Sequence, residues 1–183
     1  MWDNQQETLA LNKEEKIKMD EQALQSLLRK RKRFCYYIAG LVDAEGCFSV
    51  AVKRQESSRF GFVLDPVFQV TLHKSNEKLL TAIRKQLNCG RIIQKPGQKD
   101  LLLFLVDNRR QLAEKIIPFF KRYKLVIKAE DYKKFAEVVQ GLERKEHHSL
   151  KGFIRLLKIA YTMNMQGKQR KRRINEILLE IKA

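Results

Sequence analysis

Two acids placed where a helix should not want them are the first chemically suggestive feature of this sequence. Asp43 and Glu45 close the apolar stretch Phe34 to Glu45, which has helical spacing and is followed by Gly46, a common stop residue. A helix C-terminus carries about −0.5 of an elementary charge and favours cations, so carboxylates there need compensation. A bound divalent cation would supply it. Two solvated acids beside a glycine are the plain alternative. The same stretch carries Ala39, Gly40 and Ala44 among bulky apolar residues, and small residues let two helix backbones approach closely.

The charge of the whole chain narrows the partner. Lys and Arg total 38 against 21 Asp and Glu, a formal net charge of +17 and a pI near 9.9. Such self-repulsion is relieved by a polyanion, nucleic acid before an anionic membrane. Five consecutive cations, Arg29 to Arg33, end a polar N-terminal segment in which Ile17, Leu24, Leu27 and Leu28 have helical spacing. A second basic run, Lys168 to Arg173, lies near the other end. Both suit phosphates, and both suit plain solvation. Cys35, Cys47 and Cys89 form neither a disulfide framework nor a zinc pattern, which fits a reducing compartment. The opening residues read as neither a signal nor a transit peptide, and the longest wholly aliphatic or aromatic run, Leu101 to Val106, is too short to cross a bilayer. The expectation is an intracellular protein with no membrane partner.

The elements that must position the acids follow from periodicity. Strands are expected over Cys47 to Arg54 and Phe62 to His73, joined by the polar loop QESSRFG. A helix capped by Ser75 carries Leu79, Leu80, Ile83 and Leu87 and stops at Gly90. Strands Arg91 to Lys95 and Leu101 to Val106 turn at Pro96 and Gly97. Asp107 can cap the next helix, with Leu112, Ile116, Phe119 and Phe120 on its apolar face. The order α-β-β-α-β-β-α predicts an α+β layer: a four-stranded, mostly antiparallel sheet with helices on one face. Further helices follow, one with the stripe Tyr132, Phe135, Val138, Val139 and Leu142. The next, after a Ser149 cap, carries Leu150, Phe153, Ile154, Leu157 and Tyr161, and a short last one carries Ile174, Ile177, Leu178 and Ile181. The expected division is a basic helical extension over residues 1–33, a core with its following helices over 34–164, and a basic helical tail over 165–183.

The run Ile38-Ala39-Gly40-Leu41-Val42-Asp43-Ala44-Glu45-Gly46 resembles the signature of the LAGLIDADG homing endonucleases. The resemblance continues through Phe68-Gln69-Val70-Thr71, Pro118-Phe119-Phe120, the stretch Tyr123 to Tyr132, Arg144-Lys145-Glu146-His147 and Leu150-Lys151-Gly152, covering roughly residues 34–164. It implies an αββαββα core, paired through two motif helices, whose sheets lie over the DNA major groove. This chain carries one motif, so the resemblance implies a homodimer with Ala39, Gly40, Asp43 and Ala44 at the interface, reading a long near-palindromic site on double-stranded DNA. It also implies that Glu45 is catalytic and ligates a divalent cation, Mg²⁺ or another, with Asp43 structural. Lys128 would assist water and phosphate, with Lys124 and Lys121 as alternatives. Ser49, Lys53 and Gln55 on the first strand, Gln69, Thr71 and His73 on the second, and Arg91 and Lys95 on the third would face DNA. Where some relatives place a water-organising Gln directly after this Thr, this chain has Leu72, then His73. The activity implied is site-specific DNA cleavage by a protein of an intron or free-standing gene, in bacterial cytoplasm or an organelle. The alternatives are a non-cleaving maturase or transcriptional regulator on the same scaffold, or a basic RNA-binding protein of ribosomal type.

Overall fold

In the computed structural model, residues 21–166 and 172–181 are described. Ile17 and most of the run Lys168 to Arg173 lie outside them. The chain divides into two compact units, residues 1–38 and 39–183. In the first, residues 21–29 are helical, and Phe34 stacks on Tyr37 with ring centroids 6.3 Å apart. Helix α1 (Arg31–Glu45) begins there and runs into the second unit.

The second unit is built on one sheet. Strands β1 (Gly46–Arg54), β2 (Phe62–His73), β3 (Arg91–Gln94) and β4 (Leu101–Val106) lie in the order β1-β2-β4-β3, all antiparallel. Helix α2 (Glu77–Leu87) joins the two hairpins. The α-β-β-α-β-β-α order and the α+β class expected from the sequence are those observed.

Alternation drives the sheet. Phe48, Val50, Phe62, Leu64, Phe68, Val70, Phe104 and Val106 turn to one side and are buried. Helices bring aromatic rings against them: Phe48 lies 5.0 Å from Phe68, 5.5 Å from Phe120, 5.3 Å from Phe135 and 5.7 Å from Tyr132. Burying each such phenyl contributes roughly 2–3 kcal/mol. Pro66 sits mid-strand without breaking the sheet because β4 pairs with β2 only from Phe68 onward, so its missing N–H lies on an unpaired edge.

Several local expectations are corrected. Helix α1 does stop at Glu45, just before Gly46 as expected, but Gly46 itself opens β1. Its smallness is what matters, since a Cβ there would lie 2.6 Å from Val42 Cγ1 and 2.7 Å from Val42 O. Ser75 does not cap α2. It lies in a 3-10 turn (Lys74–Asn76) whose cap is His73, the ring Nδ1 accepting from Ser75 N. Asn88, in the left-handed region at φ 50°, ends α2 before Gly90 does. Gly90 is itself left-handed at φ +73°, and a Cβ there would lie 2.7 Å from Leu105 O.

Helical run α3 is composite: Arg109–Gln111, a π turn at Leu112–Ile116, then Ile117–Arg122. Asn108, not Asp107, caps it, accepting from Gln111 N at 3.0 Å. The π turn precedes Pro118, whose ring would otherwise meet the carbonyl of Glu114. The extra residue rotates the apolar face, so Ile117 is buried and Phe119 is only half-buried. Helix α4 (Ala129–Glu143) buries Phe135, Val138, Val139 and Leu142 as expected. Ser149 caps α5 (Leu150–Tyr161), accepting from Gly152 N. That helix buries Phe153, Leu156, Leu157 and Ala160, while Leu150, expected inside, is exposed. Short helices α6 (Met163–Gln166) and α7 (Ile174–Glu180) complete the described chain.

Candidate active site and sheet face

The C-terminus of α1 is held from a distance. Because β1 starts directly after Glu45, the last helical carbonyls have no local capping turn. Lys128 takes that role across 85 residues of sequence: its ammonium donates to Asp43 O at 2.5 Å and to Ala44 O at 3.2 Å. A cation on these carbonyls is what the helix dipole favours. The Asp43 carboxylate is also answered, accepting from Val126 N at 2.8 Å and Lys128 N at 3.0 Å. Asp43 and Lys128 thus clamp the segment 124–128 to the motif helix from both sides. Lys121 and Lys124 are exposed and make no hydrogen bond to α1 among the described residues.

Glu45 stands apart from this clamp. It is exposed, and among the described residues its carboxylate has no hydrogen bond or ion pair. The burden that the sequence placed on both acids therefore falls on Glu45 alone. One N–H of the Lys128 ammonium remains after its two carbonyl bonds. No group of three His, Cys, Asp or Glu among the described residues could hold a metal ion.

The small residues of α1 separate. Gly40 and Ala44, one helical turn apart, are exposed, and a Cβ on Gly40 would meet nothing within 4 Å. Ala39, expected beside them at an interface, is only 4% exposed and turned into its own chain. Asp43, expected there too, spends its carboxylate on the 126–128 backbone.

The open side of the sheet carries Ser49 and Lys53 on β1, Gln69, Thr71 and His73 on β2, and Arg91 on β3. Register places Gln69 opposite Cys47 and Leu105, and Thr71 opposite Leu103. Gln69 is thereby brought near the strand end that follows Glu45. Gln55 and Lys95 lie just past their strands, and Gln55 donates to Ser57 Oγ at 3.3 Å. His73 is committed to the turn at Ser75 through Nδ1. Two of the expected DNA-facing cations are not free: Lys53 pairs with Asp65, and Arg91 grips Asp107 through both terminal nitrogens at 2.6 Å each. The Arg91 pair holds the Asp107 carboxyl below the usual carboxylate range.

Two further residues escaped the sequence reading. Asn164 donates from Nδ2 to Phe48 O at 2.9 Å, satisfying the outer edge of β1, and its own N donates to Asp131 Oδ1 at 3.0 Å. Its left-handed backbone, φ 49°, is a conformation Asn tolerates, which was the available signal. Cys47 lies within the field of Lys128. Burial pushes its thiol up and outweighs that cation, so it stays protonated near neutrality.

The core runs α-β-β-α-β-β-α, and its first helix ends in an exposed carboxylate beside a lysine-capped terminus. Residues 38–139 match the family model of the LAGLIDADG endonuclease. The homing endonuclease I-ApeII of Aeropyrum pernix is 34% identical over 146 residues, 78% of this chain and 86% of that protein. Among solved structures, the archaeal intron-encoded homing endonuclease I-Vdi141I, complexed with DNA, has a TM-score of 0.77 at 35% identity, covering 82% of this chain and 96% of that one. I-SmaMI, bound to uncleaved DNA target in the presence of calcium ions, has a TM-score of 0.68 at 26% identity. There the match covers 72% of this chain but only 45% of that chain. The chain belongs to the LAGLIDADG homing endonuclease family.

Proposed function

We propose that two copies of this chain pair along α1 through Gly40 and Ala44 and cut both strands of a long, near-palindromic duplex, one Glu45 serving each strand. The observation that carries this is the contrast at the end of α1: Lys128 and Asp43 are bonded to each other's backbone, while Glu45 is exposed and without a partner among the described residues. One motif per chain supplies half of a two-strand site, and an exposed small-residue pair lets a second helix come close.

A single carboxylate, waters and DNA phosphate make the oxygen donor set that Mg²⁺ takes. When bound, a divalent cation supplies positive charge to the phosphate oxygens and makes water more acidic. Glu45 is the residue that would hold that ion. Lys128, fixed by Asp43 O and Ala44 O, has one N–H to direct at a phosphate oxygen or an attacking water. Gln69 and Thr71 line the strand bordering this point, and the open sheet face meets base edges in the major groove.

The test incubates the full chain and Mg²⁺ with a randomised duplex library and sequences the cut ends. Wild type should cut one family of near-palindromic sites. Glu45→Gln should bind the selected site with affinity within a few-fold of wild type and cut it at least about a thousandfold more slowly. Cutting by Glu45→Gln at the wild-type rate, or no cutting of any duplex by wild type, would overturn the reading.

A further inference from the structure

Two carboxylates sit on a sheet face that should meet the most negatively charged polymer in the cell. In a chain of net charge +17, acids on that face cost affinity for phosphate unless something there rewards them. Asp65 and Asp107 are these acids, and each is engaged by a cation from a different strand. Lys53 of β1 reaches Asp65 of β2, and Arg91 of β3 holds Asp107, which follows β4. Register spaces them across the whole sheet: Ala51 is opposite Asp65, Phe68 opposite Val106, and Leu105 opposite Arg91. In the strand order β1-β2-β4-β3 the four charges run +, −, −, + across the sheet.

The hydrogen-bonding capacity left on each pair is specific. Lys53 retains two N–H after donating one to Asp65, and Arg91 retains three after donating two to Asp107. Each carboxylate, acceptor-only, keeps lone pairs. Both pairs therefore offer donors flanked by an acceptor at hydrogen-bond spacing. In the major groove a G·C pair presents acceptor, acceptor, donor from guanine N7 and O6 to cytosine N4. An A·T pair presents acceptor, donor, acceptor, followed by the thymine methyl. Two donors beside an acceptor complement the first order across the full base pair and only part of the second.

We propose that Lys53–Asp65 and Arg91–Asp107 each read one G·C pair in every half-site, the cation donating to guanine and the carboxylate accepting from the cytosine amino group. Asp65 and Asp107 are then specificity-determining residues rather than obstacles to binding. The inference rests on the endonuclease reading and on the open sheet face meeting the major groove.

The test takes the site selected by wild type and measures binding and cutting on a panel with all four base pairs at each position. Wild type should show two G·C preferences per half-site, each on the order of tenfold. Asp65→Asn should abolish one and Asp107→Asn the other, with preferences elsewhere unchanged. Lys53→Met should abolish the same preference as Asp65→Asn, and the double variant should lose no more than either single one. All four side chains are at least partly exposed, so the variants should melt like wild type. Tighter binding to every sequence alike, as removal of a repelling charge would produce, overturns the inference, as does loss of an A·T preference. A wild type that cuts while its variants keep every preference sinks this inference alone; a wild type that cuts nothing sinks the endonuclease reading instead.

Discussion

Asp43 shows how far a residue's role can lie from its position in a motif. Its carboxylate accepts two backbone N–H groups from a segment more than 80 residues away and so sets where Lys128 stands. Asp43→Ala should cost about 1–3 kcal/mol of stability, because each bond to a charged group is worth about that and partial exposure lets water replace some of it. DNA cutting should fall further than binding, since the lysine loses its anchor while the sheet face is untouched. Asp43→Asn, which keeps an acceptor, should recover part of both losses. Thermal melts beside single-turnover cutting and filter binding separate these outcomes. A variant with normal melting and normal cutting would show that the clamp is idle.

At the scale of elements, the 3-10 turn Glu146–His148 between α4 and α5 makes the clearest pH prediction. Glu146 accepts from both Arg144 and Arg155, which hold its carboxyl below the usual range. His147 is pushed the other way from a paired histidine: burial first, then the charges of Arg109 and His148, lower it below 6.5. Its Nδ1 is buried without a hydrogen-bond partner among the described residues. A histidine whose folded value is depressed stabilises the fold above its unfolded value, and that contribution is lost as pH falls from about 6.5 toward the folded value. The glutamate contribution persists to lower pH and is lost only as the solution falls below the ordinary carboxylate range. Denaturant midpoints should therefore decline in two stages on acidification, and His147→Asn should flatten the first stage alone. A wild-type midpoint constant between pH 7 and 5 would remove the histidine from the account.

The same scale shows what was legible in the sequence. Alternation in β1 and β2, the short apolar run of β4 and the stripes of α2 and α4 made the architecture legible, because half-buried elements must repeat with their own period. Caps were less legible, because tertiary partners compete for the capping residue: Arg91 takes Asp107, leaving Asn108 to cap α3. The π turn before Pro118 shifted an apolar face by one residue, which no regular period anticipates. The site divided similarly. Glu45 and its helix were visible locally, and Lys128 only through family resemblance, since 85 residues separate it from Asp43. The acids that engage Lys53 and Arg91 were invisible, because strand order decides which side chains become neighbours.

For the whole molecule the decisive question is whether two copies meet along α1, as proposed, and Gly40 gives access to it without disturbing the protomer. A Cβ at Gly40 would meet nothing within 4 Å among the described residues, and glycine is about 1 kcal/mol worse than alanine inside a helix. Gly40→Leu should therefore leave the melting temperature equal or higher at concentrations where the protein is monomeric. The same side chain would hold two α1 helices apart, just where Gly40 and Ala44 permit their approach. Sedimentation should then show a monomer where wild type is dimeric. Double-strand cutting should drop by at least about a hundredfold as the two Glu45 carboxylates lose their common frame. Gly40→Ala, adding one methyl, should fall between the two. Lowering salt should restore DNA binding of the leucine variant, because most of the +17 charge per chain remains free to meet phosphate, but it should not restore paired cuts. A leucine variant that sediments and cuts as wild type does would place the interface of the two chains elsewhere than on α1.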